Sequence, residues 1–241
     1  MKNLRRGSGL VLGLLWVLIA DLATAGDYVL LVGKGFEVCE AYLKNLNSFP
    51  KHPPMVCDRP LNPKLTEFSK PQWQPLAVWP NRHLLREALR NKPFNLKYSD
   101  EEFNQANPYI QWEANLKAGM AAQTMTFGLA SLDVDRDGTP ETVLRFDAGF
   151  SCDPADEYTY RSPGGIEFYV LSADQRHLDS WRSGNFGILG GREEIILYQG
   201  NVYITSWGGG QLRLQTPLHV RGMDTEVCDY TYQPSHPRRR S

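Results

Sequence analysis

A chain of 241 residues with 26 Lys and Arg against 27 Asp and Glu carries a formal charge of −1, and 41% of its residues are apolar. That apolar share supports a folded core and excludes a wholly disordered chain, while the balanced charge argues against a nucleic-acid partner, which calls for a basic face. The length fits one large domain or two small ones.

Lys2, Arg5 and Arg6 make a basic start, residues 10–20 form an apolar run, and Ala23-Thr24-Ala25 fits a cleavage site. Residues 1–25 are therefore expected to be an export signal, with the mature chain opening at Gly26. The run ends at Asp21, short of the roughly twenty residues that a spanning helix needs, and no later stretch is apolar enough to cross a bilayer. Gly-Ser-Gly after Arg5-Arg6 and the very apolar core fit ordinary secretion better than twin-arginine export. Cleavage removes three cations (Lys2, Arg5, Arg6) and one anion (Asp21), taking the net charge from −1 to −3. The expected address is a periplasm or the outside of the cell, compartments that carry calcium and oxidise thiols.

Residues 26–120 read as helical and irregular. Phe36, Cys39, Tyr42, Leu43 and Leu46 recur at helical spacing, which predicts a helix near 35–47. Pro50, Pro53, Pro54, Pro60 and Pro63 make an extended loop that Cys57 is expected to tie back to that helix. Leu84, Leu85, Ala88 and Leu89 mark a second helix. Ser99 with Glu102 forms a capping box that opens a short third one. Tyr109, Trp112, Leu116 and Met120 mark a fourth.

Residues 121–232 read as strands. Apolar, β-branched residues run through 124–132 and 142–146 on either side of an acidic loop, which predicts a hairpin. Residues 166–171 form another strand. Residues 195–198 and 202–206 flank Gln199-Gly200-Asn201 as a second hairpin, Leu212-Arg213-Leu214 alternates, and residues 227–232 close the sheet. Short turns between neighbouring strands imply antiparallel pairing. The expected fold is α+β: a helical, proline-rich half followed by a mainly antiparallel sheet. Residues 233–241, with Arg238-Arg239-Arg240 after Pro234 and Pro237, are expected to be a solvated basic tail.

The acidic loop, Asp133-Val134-Asp135-Arg136-Asp137-Gly138-Thr139-Pro140-Glu141, carries the most specific chemistry. Ca²⁺ takes six to eight oxygen ligands at about 2.3–2.6 Å. Asp133, Asp135, Asp137 and Glu141 offer carboxylates, Thr139 its carbonyl, and Gly138 the backbone freedom for a sharp turn. An EF-hand would need glutamate at position 12, where Leu144 stands. The segment resembles the D-x-D-x-D-G-x-x-D calcium loops of FG-GAP-type repeats, with Glu141 in place of the last aspartate. Over about twenty residues in a single copy, the resemblance implies a Ca²⁺ loop on a local hairpin and not a propeller. The bland alternative is a solvated turn, but carboxylates ~5 Å apart repel by about 3 kcal/mol per pair at an effective dielectric near 20.

Four cysteines, Cys39, Cys57, Cys152 and Cys228, suggest two disulfides in an exported chain. Keeping each bridge within one half of the chain gives Cys39–Cys57 and Cys152–Cys228, about 3 and 4.5 kcal/mol of loop-closure entropy. A zinc site is disfavoured by the absence of any C-x-x-C pair. Trp181, and Trp207 before its three glycines, suit a binding platform or ordinary packing. Asp147, Asp153, Asp156 and Glu157 form a second acidic group with no metal-loop spacing. His52, His83, His177, His219 and His236 are scattered, and no nucleophile elbow, H-E-x-x-H or phosphate loop is present, so an enzyme is not expected. Three readings stay open. One is an exported protein with a structural calcium, another an exported hydrolase acting on glycans or envelope material, and the third a module that binds or inhibits another protein.

Overall fold

The computed structural model describes residues 27–49, 60–91, 96–105, 107–147, 166–185, 193–208, 211–217 and 227–233. The expected signal, most of the proline-rich loop, Cys57, Cys152, Asp153, Asp156, Glu157 and the basic tail lie outside them. The elements in chain order are β1 (Asp27–Val32), α1 (Glu37–Leu46), β2 (Phe68–Ser69), β3 (Gln74–Leu76), α2 (Arg82–Arg90), α3 (Asp100–Gln105), α4 (Asn107–Ala121), β4 (Thr126–Leu132), β5 (Glu141–Asp147), β6 (Ile166–Val170), α5 (Ser180–Asn185), β7 (Glu193–Tyr198), β8 (Asn201–Gly208), β9 (Gln211–Gln215) and β10 (Val227–Gln233). The class is α+β with antiparallel sheets.

Two sheets form, of order β1-β10-β9-β8-β7-β2 and β3-β4-β5-β6. The period-2 alternation of their strands sorts side chains into three cores. Ile196, Tyr203, Leu212, Leu214 and Tyr230 of the larger sheet pack with Val38, Cys39, Ala41 and Tyr42 of α1. Their neighbours Ile195, Val202 and Ile204 point the other way and meet Ala130, Leu132, Val143, Phe168 and Val170 of the smaller sheet. The opposite face of that sheet, with Phe127, Leu144, Phe146 and Tyr169, packs against Leu84, Leu85 and Ala88 of α2 and Leu116 of α4. The layers therefore run α1, large sheet, small sheet, α2 with α4, and the small sheet is covered on both faces.

Local signals produced the expected elements. Ser99 and Glu102 make the reciprocal capping box: the Glu102 N–H donates to Ser99 Oγ at 3.2 Å and the Ser99 N–H to Glu102 Oε2 at 2.7 Å. Gln199 and Gly200 both take positive φ, 51° and 85°, the two-residue hairpin geometry that matches strand twist. Three strands were not foreseen in the first half: β1 pairs with β10, β2 with β7 and β3 with β4.

The pairing of β1 with β10 also overturns the expected disulfides. Cys39 is bonded to Cys228, a sequence separation of 189, which excludes both Cys39–Cys57 and Cys152–Cys228. The reason is topological. A tight turn at Gly33–Gly35, with φ of 93° and 95°, folds α1 back over the strand pair, so its buried face looks onto β10. A buried side chain, Asn45, does the work expected of Cys57: its Oδ1 accepts from the Asn62 N–H at 2.8 Å and its Nδ2 donates to the Pro60 carbonyl at 3.4 Å.

Candidate metal centre

β4 and β5 form the expected hairpin, with Leu132 opposite Glu141 as its last pair. Asp133 therefore follows directly on one strand and Glu141 opens the other. Between them the loop is closed by its own side chains. Asp133 Oδ2 accepts from the Gly138 N–H at 3.0 Å, Asp135 Oδ1 from the Asp137 N–H at 3.3 Å, and Glu141 Oε2 from the Val134 N–H at 3.0 Å. Arg136 and Gly138 take positive φ, 59° and 88°. Open space surrounds the position of a Cβ at Gly138, so glycine serves conformation there and not clearance.

Val134 is the loop's anchor. It is buried in the core between the two sheets, while the Arg136 guanidinium lies 5.0 Å from the Tyr203 ring centroid on the larger sheet. With Val134 drawn inward, the flanking acids turn toward one point: carboxylate oxygens of Asp133, Asp135 and Glu141 lie within 4.8 Å of one another. Two oxygens on opposite sides of Ca²⁺ stand about 4.6–5.2 Å apart, twice the metal–oxygen distance, so this spacing fits one ion. The Asp133 Oδ1 atom is buried and accepts no hydrogen bond among the described residues. An orphaned carboxylate oxygen is costly unless something cationic takes it up.

Of the four carboxylates expected from sequence, those of Asp133, Asp135 and Glu141 converge and that of Asp137 does not. Asp137 is exposed and its Oδ1 accepts from the Thr139 N–H at 2.7 Å; Thr139 is likewise exposed. Both stand on the solvent side of the loop.

One participant was not foreseen. Arg182, on α5, enters the cluster from the side. Its Nη2 and Nε donate to Asp135 Oδ2 at 2.8 and 3.1 Å, Nη2 lies 3.7 Å from Glu141 Oε1, and Nη1 donates to Asp179 Oδ2 at 2.9 Å. The α5 backbone is fixed to β6: the Asp179 N–H donates to the Val170 carbonyl at 2.8 Å. Buried Ser183 adds to this, its hydroxyl accepting from the Val170 N–H and donating to the Val170 carbonyl, each at 3.0 Å. Asp179 also caps the helix, accepting from the Arg182 N–H at 2.9 Å. A sequence signal existed only for that cap.

Charge follows from this geometry. Burial pushes the Glu141 carboxyl above its ordinary value; the Asp135 charge adds to this, while the Val134 N–H and Arg182 pull it back. Burial also acts upward on Asp179, but the hydrogen bonds and charge of Arg182 outweigh it and leave that carboxyl below the usual range. Hydrogen bonds from Asp135 and Asp179 hold the Arg182 guanidinium firmly protonated. The three clustered carboxylates and one guanidinium leave a formal charge of −2, so Arg182 neutralises the cluster only in part.

The other candidates are dispersed. Trp181 is 58% exposed. Asp147 accepts from Arg145 at 2.8 Å at the end of β5. The Trp207 side chain lies outside the described residues, as do His52, His219 and His236. His83 contacts the Arg176 carbonyl at 3.2 Å, and His177 lies 3.7 Å from Glu87. No helix of the described residues is long and apolar enough to cross a membrane. The chain matches no known protein family, no curated protein and no solved structure.

Proposed function

We propose that this is an exported protein whose 133–141 loop binds Ca²⁺ in a structural role. The observation that carries the reading is that carboxylate oxygens of Asp133, Asp135 and Glu141 lie within 4.8 Å of one another, while Asp133 Oδ1 is buried and accepts no hydrogen bond among the described residues. Calcium is favoured over Mg²⁺ because one short loop offers several anionic oxygens, whereas Mg²⁺ prefers a compact octahedron rich in water. The Thr139 carbonyl, Asp137 and water would complete the shell from the solvent side. The ion would clip β4 to β5 at the rim of the inter-sheet core. The export signal read in residues 1–25 and the Cys39–Cys228 bridge support an oxidising, calcium-bearing address.

The test is a pair of thermal melts, in calcium and in chelator, on the wild type and on Asp133→Asn. At a free calcium concentration 100 times Kd, linkage gives about 2.7 kcal/mol of stabilisation. Asn at 133 keeps an acceptor for the Gly138 N–H and removes one of three mutually repelling charges. Its metal-free melt should therefore match or exceed that of the wild type, and its calcium increment should vanish. Equal wild-type melts in calcium and in chelator would refute the reading.

A further inference from the structure

The geometry points to Arg182 as an internal cation that competes with the metal: Arg182 and a divalent ion exclude each other from the same carboxylates, so that ion binding drives the guanidinium out of the loop. This inference rests on the reading of 133–141 as a calcium site.

Three observations carry it. First, Arg182 Nη2 sits 2.8 Å from Asp135 and 3.7 Å from Glu141, two of the three converging carboxylates. An ion bound to those carboxylates at about 2.3–2.6 Å would stand beside a like charge. Second, the guanidinium has another seat. Nη1 already donates to Asp179 Oδ2 at 2.9 Å, and Asp179 is not one of the three. A displaced side chain therefore stays paired, and the Ser183 and Asp179 bonds to Val170 keep the α5 backbone in place meanwhile. The switch needs only a side-chain movement. Third, Arg182 leaves the cluster incompletely served, since Asp133 Oδ1 has no donor among the described residues. A divalent ion would engage all three carboxylates with twice the charge.

Arg182 would then hold the hairpin to α5 when calcium is absent and lower the apparent calcium affinity by occupying the site. A binding-competent state populated only in part raises the apparent Kd by the reciprocal of that fraction. Coupling is reciprocal, so calcium loosens the contact between Arg182 and the loop by the same factor that Arg182 weakens calcium.

Calorimetric titration of the full chain and its Arg182→Gln variant with calcium tests this. The variant should melt lower in chelator yet bind calcium about tenfold more tightly, within the 5- to 150-fold range of ordinary site coupling. Wild-type binding with equal or weaker binding by the variant would overturn the competition and leave the calcium site standing. No binding by either protein would remove both. A second measurement needs no substitution. In ¹⁵N spectra of the wild type, the Arg182 Nε–H signal should shift and exchange faster with water on saturation with calcium. A signal unchanged at saturation means that ion and guanidinium share the site, and the inference fails.

Discussion

The Cys39–Cys228 bridge closes nearly the whole described chain, and its removal has a calculable cost. For a loop of 189 residues the chain-entropy relation gives about 5 kcal/mol at 25 °C, against about 3 for the short Cys39–Cys57 loop expected from sequence. In a protein of this size each kcal/mol moves the midpoint by about 2–4 °C, so loss of the bridge should lower Tm by about 10–20 °C. Cys39→Ala, Cys228→Ala and the double variant, melted side by side, separate the bridge from the side chains. Either single change breaks the whole bond, so the double should cost only about 1 kcal/mol more than a single. Single costs that sum in the double, or a non-reduced peptide joining Cys39 to Cys57, would refute the assignment. The same peptide map examines the remaining thiols. Of the three connectivities open to four cysteines, the one that contains Cys39–Cys228 joins Cys57 to Cys152.

Two further outcomes follow from single atoms. Gly33 takes φ of 93°, and a Cβ there would lie 2.5 Å from Cys39 Sγ and 2.7 Å from the Val227 carbonyl. Gly33→Ala should therefore lower stability by more than Gly138→Ala, which meets open space, the difference being an overpacking cost of about 1–3 kcal/mol; equal denaturant midpoints would contradict this. Burial and the hydrogen bond to Glu37 raise the Tyr198 hydroxyl to about 12. The folded state thus holds this proton after the unfolded chain has lost it, and the contribution to stability, complete below about pH 10, falls away across pH 10–12. Tyr198→Phe should flatten the alkaline decline in urea midpoint, and parallel slopes for the two proteins would show the reasoning wrong.

What the sequence revealed of the fold was what short-range physics determines. Helical spacing of Leu84, Leu85 and Ala88 and the Ser99–Glu102 box lie within single elements, and the β4–β5 and β7–β8 turns join neighbours. β1 was invisible for the opposite reason. Its run Asp27–Val32 shows no clean alternation, and Leu31 and Val32 are exposed on an edge strand whose register shifts between Leu30 and Val32. The partner that makes it a strand, β10, lies some 200 residues away. Choosing disulfides by short separation failed through the same omission: without β1 beside β10, nothing places α1 over Cys228.

The acidic loop was legible for its acids but not for its balance of charge. The alternation Asp133, Asp135, Asp137 treats the three aspartates alike, yet the fold separates them. Val134 is drawn into the inter-sheet core, so Asp133 and Asp135 on either side converge with Glu141, while Asp137, past Arg136, stays with solvent. A freely solvated turn has no use for an apolar residue between two aspartates, because burying it brings their charges together. Val134 was therefore the signal in the sequence that the acids face inward. Once they do, a cation has to accompany them, and that demand is spatial: it is met in part by Arg182, 47 residues beyond Asp135, from a short helix that no periodicity announces. One guanidinium against three carboxylates does not complete the neutralisation. On the proposed reading, the contest at this loop would be between a tethered monovalent cation that touches two of the carboxylates and a free divalent one that would touch all three.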